Sequence, residues 1–327
     1  MTMISASAPG KLVLSGEYAV LDGVAAISMA VDRRAIVTVA PREGDRHAVT
    51  APDFSDSQGL FTGKSGGLSW HSGGEDFTLF EHVWAAAGMS PRESLSFMLD
   101  TRAFRERGIK SGVGSSAALT VALATAMSAI GGGDSAGIAG RAHRDFQGGT
   151  GSGVDIASSL AGGVIEYRVS DNAPNGVAWP EGLCYAVFWS GVAADTRSKL
   201  ERLQGQAVTA ARGALGDAAE QFAVVFVEGS VARILDELEH YIEALHRFDK
   251  EYGLGIFDAG HARLVDAAAA HGAVYKPCGA GGGDVGIALA AAEDSLASFT
   301  GIAETLGFRR LDMNLDLQGA MLTEEQQ

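Results

Sequence analysis

Three glycine-rich segments hold the residues of this sequence that could do chemistry. The middle one, KSGVGSS at Lys110–Ser116, leads straight into a run of good helix formers that begins near Ala117. Backbone N–H groups at a helix start, left uncovered at Gly112 and Gly114 on either side of Val113, make an anion site suited to phosphate. The hydroxyls of Ser115 and Ser116 can cap that helix, reach a phosphate oxygen or ligate Mg²⁺. An ordinary helix cap with glycines for tight packing accounts for the same residues, so this segment alone leaves both readings open. GGTGSGVD at Gly148–Asp155 ends in a carboxylate at a second helix start, either a group that handles protons or simply a first-turn residue. GAGGGD at Gly279–Asp284 lies between two apolar runs, where small residues permit close approach to a ligand or a tight hairpin.

These loops need elements to hold them. Alternation from Met3 to Val39, with β-branched Val13, Ile36, Val37 and Val39, predicts a set of strands. Phe77, Phe80, Val83 and Trp84 have helical spacing within Phe77–Met89, and Leu95, Phe97 and Leu99 then alternate as a strand. A helix is predicted over Ser135–Gln147 and a strand over Gly163–Arg168. Ser170–Gly182, with Asn172, Pro174, Asn175 and Pro180, is the best boundary, dividing 1–182 from 183–327. Beyond it come a strand at Cys184–Trp189 and helical runs over about 194–213, 217–247 and 256–271, and finally AVYKP and VGIALA flanking the third glycine loop. Gly44–Gly74 reads as loop with short strand pieces. Inside it Gly63, Lys64 and Ser65 imitate a phosphate-binding P-loop, but Gln58 stands where the first glycine is required and Gly66 and Gly67 where a helix should begin.

Composition narrows the function. The 327 residues are 46% hydrophobic, enough for a substantial core. Glycine, at 44 residues, is about twice its usual share but follows no G-X-Y period, which excludes collagen. Against 25 Lys and Arg stand 40 Asp and Glu, a net charge of -15 that disfavours nucleic acid or an anionic membrane as partner and favours a small-molecule enzyme. Cys184 and Cys278 have no metal spacing, and no disulfide is expected. The first residues lack a basic region ahead of an apolar run, and no later stretch is apolar enough to span a bilayer, so a soluble cytoplasmic protein is expected.

With APGKLVLSGEYAVL near the start, KSGVGSSAAL in the middle and KPCGAGGGDVGIAL near the end, in that order, the sequence resembles the GHMP small-molecule kinases from Ser7 to Ala290. The resemblance implies an α+β, two-domain GHMP kinase fold: an N-terminal ribosomal S5 domain 2-like half, a C-terminal ferredoxin-like half, and ATP phosphates on the middle loop between them. Within the family, GEY at Gly16–Tyr18, WSGVAADT at Trp189–Thr196, and Lys276 and Pro277 before GAGGGD with Asp284 are similar to the phosphomevalonate kinases. Cys278 replaces the serine usual in that branch, and SGVDIASSLAGG at Ser152–Gly163 is closer to mevalonate kinases and mevalonate diphosphate decarboxylases.

The implied activity is ATP-dependent phosphorylation of a phosphorylated mevalonate, with ATP and Mg²⁺ as cofactors. Mevalonate kinase, an ATP-dependent mevalonate-phosphate decarboxylase and a non-catalytic regulator of the same fold are the alternatives, and the oligomeric state stays open, a homodimer included. The family's motifs place catalysis on Lys11 and Asp155, and the nucleotide on Lys110, Gly112, Val113, Gly114, Ser115, Ser116 and Ala117. They place the acceptor on Lys11, Glu17, Tyr18, Ser152, Gly153, Asp155, Arg197, Cys278, Gly279, Ala280 and Gly281, and Mg²⁺ on Ser115 or Ser116. In the mevalonate kinase branch a glutamate upstream of the motif aspartate helps hold Mg²⁺; Arg144 stands at that spacing here, and its neighbour Asp145 is expected to face solvent. Lys110, Arg197, Lys199 and Lys276 lie beside the motifs as further cations. An acceptor that is already a phosphate needs no general base, because its second pKa of about 6 leaves it largely unprotonated at neutral pH; Asp155 would then orient Lys11 and the acceptor. Lys11→Ala is expected to lower kcat/KM by about 100-fold or more, the loss of one preorganised transition-state charge contact. Unchanged circular dichroism would accompany the loss, and activity within a few-fold of the parent would remove Lys11 from the mechanism.

Overall fold

Long, mostly buried strands of small and β-branched residues organise the first half of the computed structural model, which describes residues 2–52, 55–64, 66–149, 151–171 and 173–325. β1 (Met3–Ser15) pairs antiparallel with β2 (Ala26–Pro41), and β3 (His47–Ala51), β4 (Ser55–Lys64), β5 (Gly67–Ser72) and β6 (Leu95–Asp100) widen the sheet. A two-residue hairpin, β7 (Arg105–Glu106) and β8 (Ile109–Lys110), precedes the phosphate-loop candidate, while β9 (Val164–Tyr167) and β10 (Asn175–Val177) add the other edge. The order is β10-β9-β2-β6-β3-β4-β5, with β1 on β2. Helices α1 (Thr78–Ala86), α2 (Ser115–Gly131), α3 (Ser135–Phe146) and α4 (Val154–Ala161) cover it. Buried Ala117, Val121, Leu123, Ala124 and Met127 show that α2 is apolar around most of its circumference, the signature of a central helix.

The second half is a smaller antiparallel sheet, β12-β13-β11-β14, made of β11 (Cys184–Trp189), β12 (Ala273–Pro277), β13 (Val285–Ala290) and β14 (Arg309–Leu311). Alternation sends Val187, Trp189, Val285, Ile287 and Leu289 to one face, into a core shared with α6 (Ala210–Glu228), α7 (Val231–Tyr252), and Leu12, Leu14, Ile27 and Met29 of the first half. Ala186, Phe188, Ala288 and Ala290 point the other way, under α8 (His261–Ala269) and α9 (Glu293–Thr305). The chain then returns: β15 (Met321–Glu325) pairs with β1 in the first sheet. Among the described residues no helix is long and apolar enough to cross a membrane.

Local chemistry divided the helical runs differently from the apolar spacing. The run expected over 194–213 is two helices, α5 (Thr196–Leu203) and α6, parted by Gly205 in a left-handed conformation and restarted by Thr209, whose side chain accepts from the Arg212 N–H. Gly229 and Ser230 break the next run, and Ser230 caps α7 by accepting from the Arg233 N–H. The segment at Gly44–Gly74, expected as loop with short strand pieces, is mostly strand, β3 to β5. Phe61, Trp70, Phe80 and Trp84 pack there with ring centroids 5.0–6.4 Å apart, and a β-carbon at Gly59 would meet Trp70 at 2.7 Å. Lys64 closes β4 as an exposed residue, which is no position for a P-loop lysine; Ser65 lies outside the described residues.

One buried histidine braces the C-terminal glycine loop. His261, fully buried at the start of α8, places Nε2 3.0 Å from the Gly283 carbonyl and Nδ1 2.8 Å from the Tyr275 hydroxyl. A carbonyl only accepts, so Nε2 carries the proton and Nδ1 accepts from Tyr275. Burial holds this imidazole neutral, lowering its pKa to about 4. The unfolded chain binds the proton at about pH 6.5 and the folded one only near 4, so stability is full above 6.5 and falls as pH drops, by about 3 kcal/mol at pH 4. Urea unfolding of the parent and of His261→Gln at pH 7 and pH 4 is expected to show a smaller pH-dependent loss in the variant; equal losses would exclude His261 as the titrating group.

Candidate active site

Lys11 is the one residue from Ala8 to Val20 whose burial is incomplete. A register shift in β1 between Pro9 and Gly10 re-aims the strand here. Gly10 makes the approach possible: a β-carbon there would stand 2.5 Å from the Val113 carbonyl oxygen, the acceptor of the Lys11 N–H at 2.8 Å. The phosphate loop therefore lies directly on β1. The Lys11 side chain runs past Gly114, whose added β-carbon would be 3.2 Å from its Cγ, and ends 3.9 Å from where one would stand at Gly279. One ammonium group thus sits where the first, second-half and middle motifs meet.

Gly114 caps α2 in a left-handed conformation with no side-chain hydrogen bond, and the first backbone bond inside the helix is donated by Ala118 to the Gly114 carbonyl. The N–H groups of Ser115, Ser116 and Ala117 are therefore the free first-turn donors that an anion would take. Val113 and the Ala117 side chain are buried in the core, so their contribution is through the backbone. Lys110 is exposed at the rim and lines, with Ser115 and Ser116, a cavity of about 310 Å³ whose other walls are mainly apolar: Phe77, Phe80, Leu99, Leu119 and Phe146.

Asp155 occupies the first turn of α4, behind a left-handed Gly153. Its Oδ1 accepts from the Ile156 N–H at 3.0 Å, and its Oδ2 lies 3.8 Å from Nε2 of buried His143 on α3. The same Nε2 is 3.4 Å from Ser116 Oγ. The Ser152 carbonyl accepts from the Tyr167 hydroxyl at 2.7 Å, which fixes the approach to this turn. Lys11, Ser152, Asp155, Thr196, Gly279 and Ala280 line a second cavity of about 130 Å³. Gly153 instead lines an outer groove beside α3, together with Arg144. Asp145 is exposed, as expected.

Several residues expected at the acceptor have internal work. The Glu17 carboxylate, though at the cavity wall, forms a buried ion pair with Lys276 and accepts from the Tyr241 hydroxyl at 2.7 Å. Lys276 is wholly buried and also donates to the Val13 carbonyl, so it is no cation for a substrate. Tyr18 lines the cavity, but its hydroxyl donates to the Ala280 carbonyl at 2.7 Å; burial raises its pKa. Cys278 belongs to the core instead of the cavity, its thiol pushed up to about 11 by burial. Gly281 packs against Ile256, where a β-carbon would meet the carbonyl oxygen at 2.5 Å. Lys199 donates to the carbonyls of Gly255, Ala280 and Gly281, at 3.1, 3.2 and 2.7 Å, and burial lowers its pKa. It braces the glycine loop from below. Arg197 is on α5, and its side chain lies outside the described residues.

Sequence reasoning missed His143, because nothing in its helical spacing distinguishes it from a core residue. It also gave Asp284 no task. That carboxylate, its pKa raised by burial, accepts from the Ala194 N–H at 3.1 Å and lies so close to Gly112 that a β-carbon there would stand 2.1 Å from its Cγ.

No protein-family model matches the chain. A phosphomevalonate kinase of Streptomyces sp. (strain CL190) is 33% identical over 347 residues, 88% of this chain and 90% of the relative. A mevalonate kinase of Methanothermobacter thermautotrophicus is 38% identical over 166 residues, 49% of each chain. Among solved structures, Streptococcus pneumoniae phosphomevalonate kinase in complex with phosphomevalonate and AMPPNP has a TM-score of 0.77 at 19% identity, covering 95% of this chain and 99% of that one, a likeness of fold. The agreement with the Streptomyces relative runs through most of both chains, and the three motifs of this chain converge on one ammonium group. The chain belongs to the phosphomevalonate kinases, a family of GHMP kinases.

Proposed function

We propose that this kinase transfers the γ-phosphoryl group of ATP to the phosphate of (R)-5-phosphomevalonate, giving 5-diphosphomevalonate and ADP. The observation that carries the reading is the Lys11 ammonium between the phosphate loop at Gly114 and the acceptor side at Gly279, together with the relatedness to a phosphomevalonate kinase. In this reading residues 1–182 and 183–327 are the two domains, with β15 of the second returning to the sheet of the first, and the nucleotide and acceptor meet where they face each other.

The apolar cavity beside Phe77, Leu99 and Phe146 suits a nucleobase, and it opens onto the free N–H groups of α2, which suit the phosphates. Lys11 lies between donor and acceptor and offsets charge that spreads over the transferring oxygens. The acceptor lies against Ser152, Asp155, Gly279 and Ala280. Asp155 orients the acceptor and Lys11; the phosphate nucleophile is already largely deprotonated at neutral pH. Mg²⁺ fits hydroxyl and phosphate oxygen donors: Ser115 or Ser116 would hold it beside the nucleotide, where it would neutralise phosphate charge. In a chain of net charge -15, with Lys199 and Lys276 internally bonded, Lys11, Lys110, Arg105 and the helix N-termini contribute charge compensation for two phosphates.

Mevalonate is the competing acceptor, favoured by the partial match to a mevalonate kinase. ADP release measured with both acceptors from pH 5 to 8 separates them. Phosphomevalonate is expected to win in kcat/KM by about 10⁴ or more, since a site built for a polar group rejects the analogue that lacks it. That margin is expected to shrink below about pH 6 as the acceptor phosphate gains a proton. Comparable efficiency with mevalonate would transfer the assignment to that acceptor, and silence with both would remove it.

A further inference from the structure

Three helices converge on one imidazole nitrogen. His143, on α3, is 2% exposed, and its ring is seated against Phe146 on the same helix with centroids 6.5 Å apart. Its Nε2 faces Ser116 Oγ in the first turn of α2 at 3.4 Å and Asp155 Oδ2 in the first turn of α4 at 3.8 Å. These are the serine beside the phosphate-loop N–H groups and the carboxylate that lines the acceptor cavity. Oδ1 of Asp155 accepts from the N–H of its own neighbour Ile156, which leaves Oδ2 turned toward the imidazole.

We propose that His143 is a positioning residue for phosphoryl transfer: a single Nε2–H that fixes Asp155 and Ser116 relative to each other, and so sets the acceptor site in register with the nucleotide site. Asp155 Oδ2, at 3.8 Å, is too far for a hydrogen bond, but a carboxylate opposite Nε2 favours the tautomer with the proton there, and Nε2–H is then within reach of Ser116 Oγ at 3.4 Å. The same N–H then points to a lone pair of Ser116 Oγ. The serine hydrogen is turned away from the imidazole and left free for a phosphate oxygen. His143 touches neither substrate; it acts through the two side chains that do. Misplacement of a reacting pair by about 1 Å can cost on the order of 100-fold in rate, so a small displacement of Asp155 would register in turnover although the cavity itself would survive.

The proposal rests on the nucleotide and acceptor reading above, and its test uses steady-state kinetics of the full chain with ATP and phosphomevalonate. His143→Leu keeps volume without the N–H; His143→Gln restores an N–H near the Nε2 position. The Leu variant is expected to lose about 10- to 100-fold in kcat with both KM values within about threefold of the parent. The Gln variant is expected to recover most of that loss. In an Asp155→Asn background, His143→Leu is expected to add less than about twofold, because the two residues act as one unit. Equal losses in Leu and Gln variants that both melt cooperatively, a loss in KM alone, or full multiplicative effects with Asp155→Asn would each overturn it. Should the Leu variant not fold, Gln measured against the parent carries the test, and a Gln variant below a tenth of parental kcat overturns the proposal. If the parent turns over mevalonate and not phosphomevalonate, the acceptor reading fails while the same variants measured on mevalonate still decide the role of His143. Absence of turnover with either acceptor removes both.

Discussion

Glu17 and Lys276 come from opposite halves of the chain, 5% and 0% exposed, and their charged ends meet out of reach of bulk solvent. Taking two charges out of water costs several kcal/mol per ion, and only a well-bonded geometry offsets it. Here the geometry is closed on every side: Tyr241 donates to Glu17 Oε2 and itself accepts from the N–H groups of Gly16 and Glu17, while Lys276 also reaches the Val13 carbonyl. An apolar core is tolerant of sliding, and this one runs continuously from Leu12 and Met29 to Val285 and Phe222. A charge pair is not tolerant, since any shift between β1 and β12 leaves a buried ion alone, a loss of about 3–5 kcal/mol. The ion pair therefore sets the register in which Lys11, on the strand that leads to Glu17, faces Gly279.

The charges removed from solvent at this junction also shape what an incoming anion meets. Lys199 and Lys276 are turned inward, the first onto three carbonyls of the glycine loop and its surroundings and the second onto Glu17. Positive charge at the surface of the cleft comes from Lys11, from Lys110 and Arg105 at the rim of the apolar cavity, and from backbone N–H groups. A fixed N–H array costs no reorganisation as charge moves during transfer, whereas a flexible lysine must be ordered first. The inward groups hold the backbone of the glycine loop: Lys199 binds the carbonyls of Ala280 and Gly281, and neutral His261 that of Gly283.

What was legible in the sequence was the chemistry that depends on backbone. Gly112, Gly114 and Gly279 have positive φ, a requirement glycine meets without strain, and the clustering of glycine in those segments is what marks them as loops. The motifs also singled out Lys11 and Asp155, which the structure brings to the wall of one cavity. Side chains whose role depends on which way they turn in the assembled fold were not legible. Glu17 and Tyr18 share a motif with Lys11, yet one closes an ion pair and the other bonds the Ala280 carbonyl. Cys278, inside the third motif and just past the end of β12, joins Val274 in the shared core. The strands at 47–72 were obscured by glycines that looked like loop and are in fact clearance for Trp70 and Trp84. His143 carries no local signal, since its partners come from two other helices.

Asp284 shows how far the two halves share one site. It is a non-glycine residue at φ 54°, a conformation that costs such residues on the order of 1 kcal/mol or more. Its backbone N–H donates to the Val192 carbonyl, its carbonyl accepts from the Ser190 N–H, and its carboxylate accepts from the Ala194 N–H. The strained residue thereby ties the loop after β11 to the loop before β13. The same side chain fills the space above Gly112, so the phosphate loop of the first half is shaped by a carboxylate of the second. Only glycine fits at 112, both for its φ of 82° and for the side chain over it. The shape of the loop at Gly112 is therefore not a property of the first half by itself. The glycine loop of the second half thus places Asp284 over Gly112 and Gly279 beside Lys11, so both cavities take their shape from the contact between the two halves.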